Sequence, residues 1–144
     1  MSTFTIVKDT REKKPYTFRG YKVRTKKLDS GDYSILGHTK KIIIERKSLA
    51  DLFGTITIRK NLERFLKELK RLEKVPYWFI LVDASPTSIA KGFRHSRANG
   101  FATLCLLFEL VFKHNGRVLF AKSRDEAQML ITSMFIGYMS AQKN

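Results

Sequence analysis

The chain has 144 residues, one cysteine and a formal net charge of +15, from 28 Lys and Arg against 13 Asp and Glu. That length suits a single domain over residues 1–144 and needs neither disulfides nor a structural metal to build a core, while 43% hydrophobic and 12% aromatic residues exclude wholesale disorder. No apolar run approaches the ~20 residues of a membrane span, and Met1-Ser-Thr-Phe4 lacks the basic and apolar regions of a secretory signal, so an intracellular setting without a membrane partner is expected.

In chain order, Phe4–Lys8 alternates like a strand and runs into the polar, turn-like stretch Asp9–Lys14 before Pro15. Tyr21–Leu28 is a second strand whose Lys and Arg residues suit a sheet edge. Asp29-Ser-Gly-Asp32 turns the chain, Tyr33–Leu36 is a short strand, Gly37–Thr39 turns it again, and Ile42–Ile44 fits a strand covered on both faces. Ser48-Leu-Ala-Asp51 fits a capping box that opens a helix. Arg59–Lys74 is the clearest helix, with Leu62, Phe65, Leu66, Leu69 and Leu72 on one stripe, and Val75-Pro76 ends it. Tyr77–Val82 is a buried strand, and Ser85-Pro86 begins a short helix. A basic loop, 92–100, leads to a helix over 101–113 that is apolar nearly all round. Cys105 within it reads as a core thiol in a reducing compartment. Arg117–Ala121 is the last strand, and Ser123–Glu126 caps a helix that runs to about Met139.

The order β-β-β-β-α-α-β-α-α-β-α predicts an α/β domain. An early meander of strands would feed a mixed central β-sheet flanked by helices. The apolar surplus of the last two helices predicts a subunit interface there, in a homodimer. The pI near 10.2 points to nucleic acid as partner. Residues 1–74 hold 20 basic and 9 acidic side chains, residues 75–144 only 8 and 4, so the nucleic-acid face should lie mainly on the first half.

Chemistry concentrates where Ile42-Ile-Ile44 runs into Glu45-Arg46-Lys47. Charges at the end of a buried strand need partners. Strand alternation sends Glu45 and Lys47 to one face and Arg46 to the other. Hairpin pairing would bring Asp32 beside Glu45, and Asp9 closes the first strand at the same edge. Two or three carboxylates beside a lysine form a hard oxygen site for Mg²⁺ or Mn²⁺, which would polarise a phosphoryl oxygen and acidify a water. Lys47 would orient or deprotonate that water, or stabilise the developing charge. A structural salt-bridge cluster at a strand end fits the same spacing. His38, His95 and His114 are scattered and lack zinc-ligand spacing.

Gly31-Asp32, a spacer, Glu45-Arg-Lys47 and Asp51 resemble the G-D-x(n)-E-R-K-x-x-x-D pattern of the XPF/Hef family of structure-selective DNA nucleases. That family sits within the PD-(D/E)xK, restriction-endonuclease-like group. Asp9-Thr-Arg11-Glu12 resembles its D-x-R-E element, and Arg59 stands where a motif arginine is expected. The resemblance implies a restriction-endonuclease-like fold and Mg²⁺- or Mn²⁺-dependent hydrolysis of DNA, probing branched, flapped or forked forms. It implies Asp32 and Glu45 as metal ligands with the Arg46 backbone carbonyl, Asp9 as a further acid of the metal site, and Lys47 as the catalytic lysine. Arg11, Arg46, Arg59 and Arg64 would hold phosphates. Glu12 and Asp51 belong to the motif, but Asp51 also has a capping role. Glu63 replaces the glutamine many members carry, Ile58 replaces a small residue, and the tandem helix-hairpin-helix domain that usually follows is expected to be absent. A homing- or restriction-type endonuclease of duplex DNA, and a non-catalytic module recruiting another nuclease, are the competing readings.

Overall fold

The computed structural model describes residues 4–143; Met1–Thr3, where no secretory signal was read, lie outside the described residues. Six strands and five helices follow in the order β1 (Thr5–Asp9), β2 (Lys22–Lys26), β3 (Tyr33–Ile35), β4 (Ile42–Lys47), α1 (Leu49–Thr57), α2 (Arg59–Leu72), β5 (Tyr77–Val82), α3 (Pro86–Ala90), α4 (Gly100–Lys113), β6 (Arg117–Phe120) and α5 (Arg124–Ala141). The strands form one mixed sheet, β2-β1-β3-β4-β5-β6. The pairs β1–β3 and β3–β4 are antiparallel, and β1–β2, β4–β5 and β5–β6 are parallel. This is the α/β architecture with helices on both faces expected from the element order.

The early strands do not form a meander. β2 lies outside β1 and parallel to it, which requires a crossover in place of a tight turn. Residues 10–21 make that crossover because their polar start is followed by Tyr16 and Phe18, both buried. Phe18 accepts a left-handed backbone (φ 50°) as the chain turns back. β2 is exposed along its whole length, as its Lys and Arg residues foretold for an edge.

Alternation along β4 divides the core. Ile43 joins Trp78, Ile80 and Val82 beneath α1, α2 and α4, with Phe65, Leu69 and Leu72 from the predicted stripe. Ile42 and Ile44 face the other way, with Tyr33, Leu81, Ile131 and Phe135 under α5. Trp78 is fully buried and its Nε1 donates to the His114 carbonyl at 2.9 Å. Gly116 admits its indole: a Cβ there would stand 2.1 Å from the ring.

Cys105 is exposed, not buried. α4 is apolar all round, but only the face bearing Thr103, Leu107, Leu110 and Val111 meets the sheet. The face left over carries Cys105 with Phe101 (65% exposed) and Phe112 (72%). On α5, Met129 and Ile136 are exposed as well.

Candidate active site

Gly31 sets the geometry. Its φ of +80° suits a residue without Cβ, and an added Cβ would lie 2.2 Å from the Ile43 Cγ2 methyl. The turn thereby lies flat on β4. The Asp32 amide donates to the Ile44 carbonyl (2.8 Å), and the Asp32 Oδ2 accepts from the Arg46 amide (2.8 Å). The Asp32 carboxylate is thus anchored at the end of β4, beside Glu45.

Glu45 is buried, on the same sheet face as Ile43 and toward α2. Burial drives the Asp32 carboxyl up to about 7; the Arg46 amide and a hydrogen bond with Glu45 oppose that rise, and the charges of Glu12 and Glu68 add to it. Burial also raises Glu45 well above the carboxylate range, helped by Asp32 and Glu68 and opposed by Lys47. Two acids crowded in low dielectric cannot both ionise cheaply. A divalent cation would offset that cost, so the donor chemistry fits a hard metal ion. Among the described residues, no group of three or more His, Cys, Asp or Glu is arranged to hold a metal ion.

That bears on Asp9. Its buried carboxylate is already saturated: Oδ2 accepts from the Arg11 amide (3.1 Å) and Nε (2.8 Å), and Oδ1 from Arg11 Nη2 (3.2 Å) and the Leu28 amide (2.7 Å). Burial pushes the group up, but these donors outweigh it and hold it below its ordinary value. Asp9 does not line the cleft that holds Asp32 and Glu45. Its amide donates to the Asp32 carbonyl (2.8 Å), so it braces the Asp32–Glu45 pair and holds Arg11 through its carboxylate.

Lys47 shares the face of Glu45, as alternation required, and its ammonium lies 4.6 Å from the Phe65 ring centroid. It lines two adjoining clefts. One, of about 490 Å³, also holds Asp32, Glu45 and Arg11. The other, of about 460 Å³, holds Arg11, Arg64, Glu68 and Arg71.

The Arg46 side chain turns to the opposite face of β4, while the residue also borders the cleft of Asp32 and Glu45. Its Nε donates to Asp83 (2.7 Å), its Nη1 approaches Glu12 (3.5 Å) and the Lys14 carbonyl, and its guanidinium lies 4.4 Å from the Tyr16 ring centroid. The Tyr16 hydroxyl donates to Asp83 at 2.6 Å. Arg124 covers the ring at 4.8 Å and donates to the Lys14 and Pro15 carbonyls. Arg46 therefore clamps the crossover whose Lys13 and Lys14 line the cleft.

Asp51 makes the full capping box with Ser48 and also borders both clefts. Arg64 lines the second cleft, but Arg59 lines neither; it is 92% exposed and paired with Glu63 at 3.2 Å. It sits at the first turn of α2, directly after the break at Ile58, where the helix points it into solvent. Sequence reasoning missed Glu68 and Arg71. The available signal was an acid at position 68 within the stripe of Phe65, Leu69 and Leu72, where only a partnered group is tolerated.

A family model described as the ERCC4 domain matches residues 8–134. Among solved structures, XPF from Aeropyrum pernix is 21% identical with a TM-score of 0.72, covering 91% of this chain and 63% of that one. A second structure, XPF from Aeropyrum pernix in complex with DNA, is 21% identical with a TM-score of 0.75, covering 96% and 66%. The chain thus spans just under two thirds of those chains, and the likeness to them is one of fold. The sequence matches no curated protein significantly.

Proposed function

The chain belongs to the ERCC4 domain family, and from that membership we propose that it is a metal-dependent DNA endonuclease, Mg²⁺ or Mn²⁺ being the cofactor and branched, flapped or forked DNA the substrate. The observation that carries this reading is the buried Asp32–Glu45 pair, held with raised proton affinity in a cleft that it shares with Lys47, Arg11, Lys13 and Lys14. Destabilised paired carboxylates have little structural use, since a neutral pair would fill the same space at lower cost.

Asp32, Glu45 and the Arg46 carbonyl would hold the ion. With few protein ligands, water and substrate phosphate complete the shell, as is usual for Mg²⁺. The ion supplies Lewis acidity at the scissile phosphoryl group and a more acidic water. Lys47 Nζ faces the same cleft and neutralises charge developing on the phosphoryl oxygens or takes up the proton of the attacking water. Arg11 and Arg64 bind flanking phosphates and fix the strand. Asp9 orients Arg11. The DNA complex of XPF from Aeropyrum pernix, which has the same fold, supports DNA as the ligand class.

The exposed apolar faces of α4 and α5 support a homodimer through these C-terminal helices, because Phe101, Phe112, Met129 and Ile136 are costly to leave in water. The site of action is intracellular, with DNA.

The test is a cleavage assay on end-labelled single strands, duplex, flaps, forks and four-way junctions. Metal and chelator arms run beside Asp32→Ala and Lys47→Ala. Metal-dependent cutting of branched forms, lost in both variants, is expected. Sequence-specific cutting of linear duplex would replace the substrate class. No cutting with binding intact would overturn the enzyme.

A further inference from the structure

Beyond the two clefts at the metal pair lies a third, of about 600 Å³, on the far side of Arg11. Its rim carries Lys27, Lys40, Arg71 and Lys74 besides Arg11, with Asp29 as its acid. Lys27 follows the edge strand β2, Lys40 stands in the turn before β4, Arg71 lies in the last turn of α2 and Lys74 just beyond its end. The C-terminus of a helix favours cations on its own account, which explains Arg71 and Lys74. It does not explain why Lys27 and Lys40, from two other elements, converge on the same opening.

All four are exposed, and among the described residues none has an ion-pair partner within 4.0 Å. Unpaired convergent cations repel one another and favour an anionic guest. Ser30 and Thr39 also line the cleft, as do the apolar Ile43 and Val75. Phosphates alternating with sugars match that mixture, whereas a lone small anion would leave most of the cations unmet. Arg11 lines all three clefts, and Arg71 lines the second and third. The two arginines form the saddle that joins them.

We propose that the third cleft is a backbone-binding track, through which a DNA strand leaves the metal pair over Arg11 and Arg71 and continues along Lys27, Lys40 and Lys74. The proposal rests on the nuclease reading of the metal cleft and adds an exit path for one arm of the substrate. It reads the backbone, not the bases, so it adds affinity and direction without sequence preference.

The double variant Lys40→Ala/Lys74→Ala tests it on the full chain, with Lys91→Ala, which lines none of the clefts, as control. Binding of a fluorescent forked DNA is titrated in chelator across a salt series, and thermal melting checks folding. Each lost phosphate contact lowers the slope of log K against log salt by about 0.9, so the double variant should lose about 2 in slope and bind on the order of tenfold more weakly at moderate salt. Lys91→Ala should match wild type. Shortening the DNA arms one at a time should abolish the difference between variant and wild type on one arm only, the arm seated in the track. An unchanged slope in the double variant, beside a wild type that binds and cuts DNA, would overturn the track and leave the nuclease standing. Equal loss whichever arm is shortened would also overturn it, as general charge attraction. Failure of the wild type to bind DNA would overturn both.

Discussion

Asp32→Asn should make the metal-free protein more stable while destroying its activity, and the gain should grow with pH. An acid with raised proton affinity in the folded state keeps its proton where the unfolded chain has lost it. Its ionisation is therefore resisted by the fold, and stability falls as pH rises between the ordinary value of 3.8 and about 7. From pH 5 to pH 8 such a carboxyl costs the wild type on the order of 2–3 kcal/mol that a neutral amide does not. For a chain of this size that is a divergence of about 8 °C in Tm, at roughly 3 °C per kcal/mol. The asparagine carbonyl oxygen can still accept from the Arg46 amide, so the anchor at the end of β4 survives. The assay is thermal melting of both proteins across pH 4–9 in chelator, repeated with Mg²⁺. Mg²⁺ should raise the wild-type Tm and leave the variant nearly unmoved, since only the wild type gains binding energy in the native state. Parallel pH curves would refute the argument that the pair is electrostatically crowded, and an equal response to Mg²⁺ would refute Asp32 as a ligand.

Lys47→Ala should lower single-turnover cleavage by about 10²–10⁴-fold while DNA affinity stays within a few-fold, measured by quench-flow and anisotropy. Arg46→Ala should cost about 3 kcal/mol in denaturant unfolding, because Asp83 and Glu12 lose their counter-charge and Tyr16 its cover. Arg46→Lys should recover little of it, lacking the planar fork. Gly31→Ala should cost at least about 2 kcal/mol, since it forces a left-handed alanine onto the Ile43 methyl; an unaltered midpoint would show that the turn can relax. Phe101→Glu with Phe112→Glu should convert the expected homodimer to a 16.7 kDa monomer in sedimentation without loss of helix signal.

The local pattern around Ile42–Lys47 was readable because it depends only on period two. Once that run is a strand, Glu45 and Lys47 must share a face and Arg46 must oppose them, and so they do. The α2 stripe, the Ser48–Asp51 box and the charged edge strand were legible for the same reason: neighbours within about one turn or one strand settle them. Cys105 was misread because an apolar neighbourhood in sequence implies burial only if every face of the helix is covered, and one face of α4 is not.

Composition and short-range spacing were enough for the α/β class, the basic character, and the shared face of Glu45 and Lys47 on β4, while the family resemblance was needed to single them out as site residues. The pairing order of the first three strands was decided only when Tyr16 and Phe18 found a core to enter, which is a long-range event. The partition of the arginines was decided there too. Arg46 became a clamp because Asp83 arrives from β5, Arg59 was left in solvent by the break at Ile58, and Arg71 reached the cleft from the far end of α2. A guanidinium takes the nearest fixed anion or phosphate, and which of these is nearest depends on residues dozens of positions away.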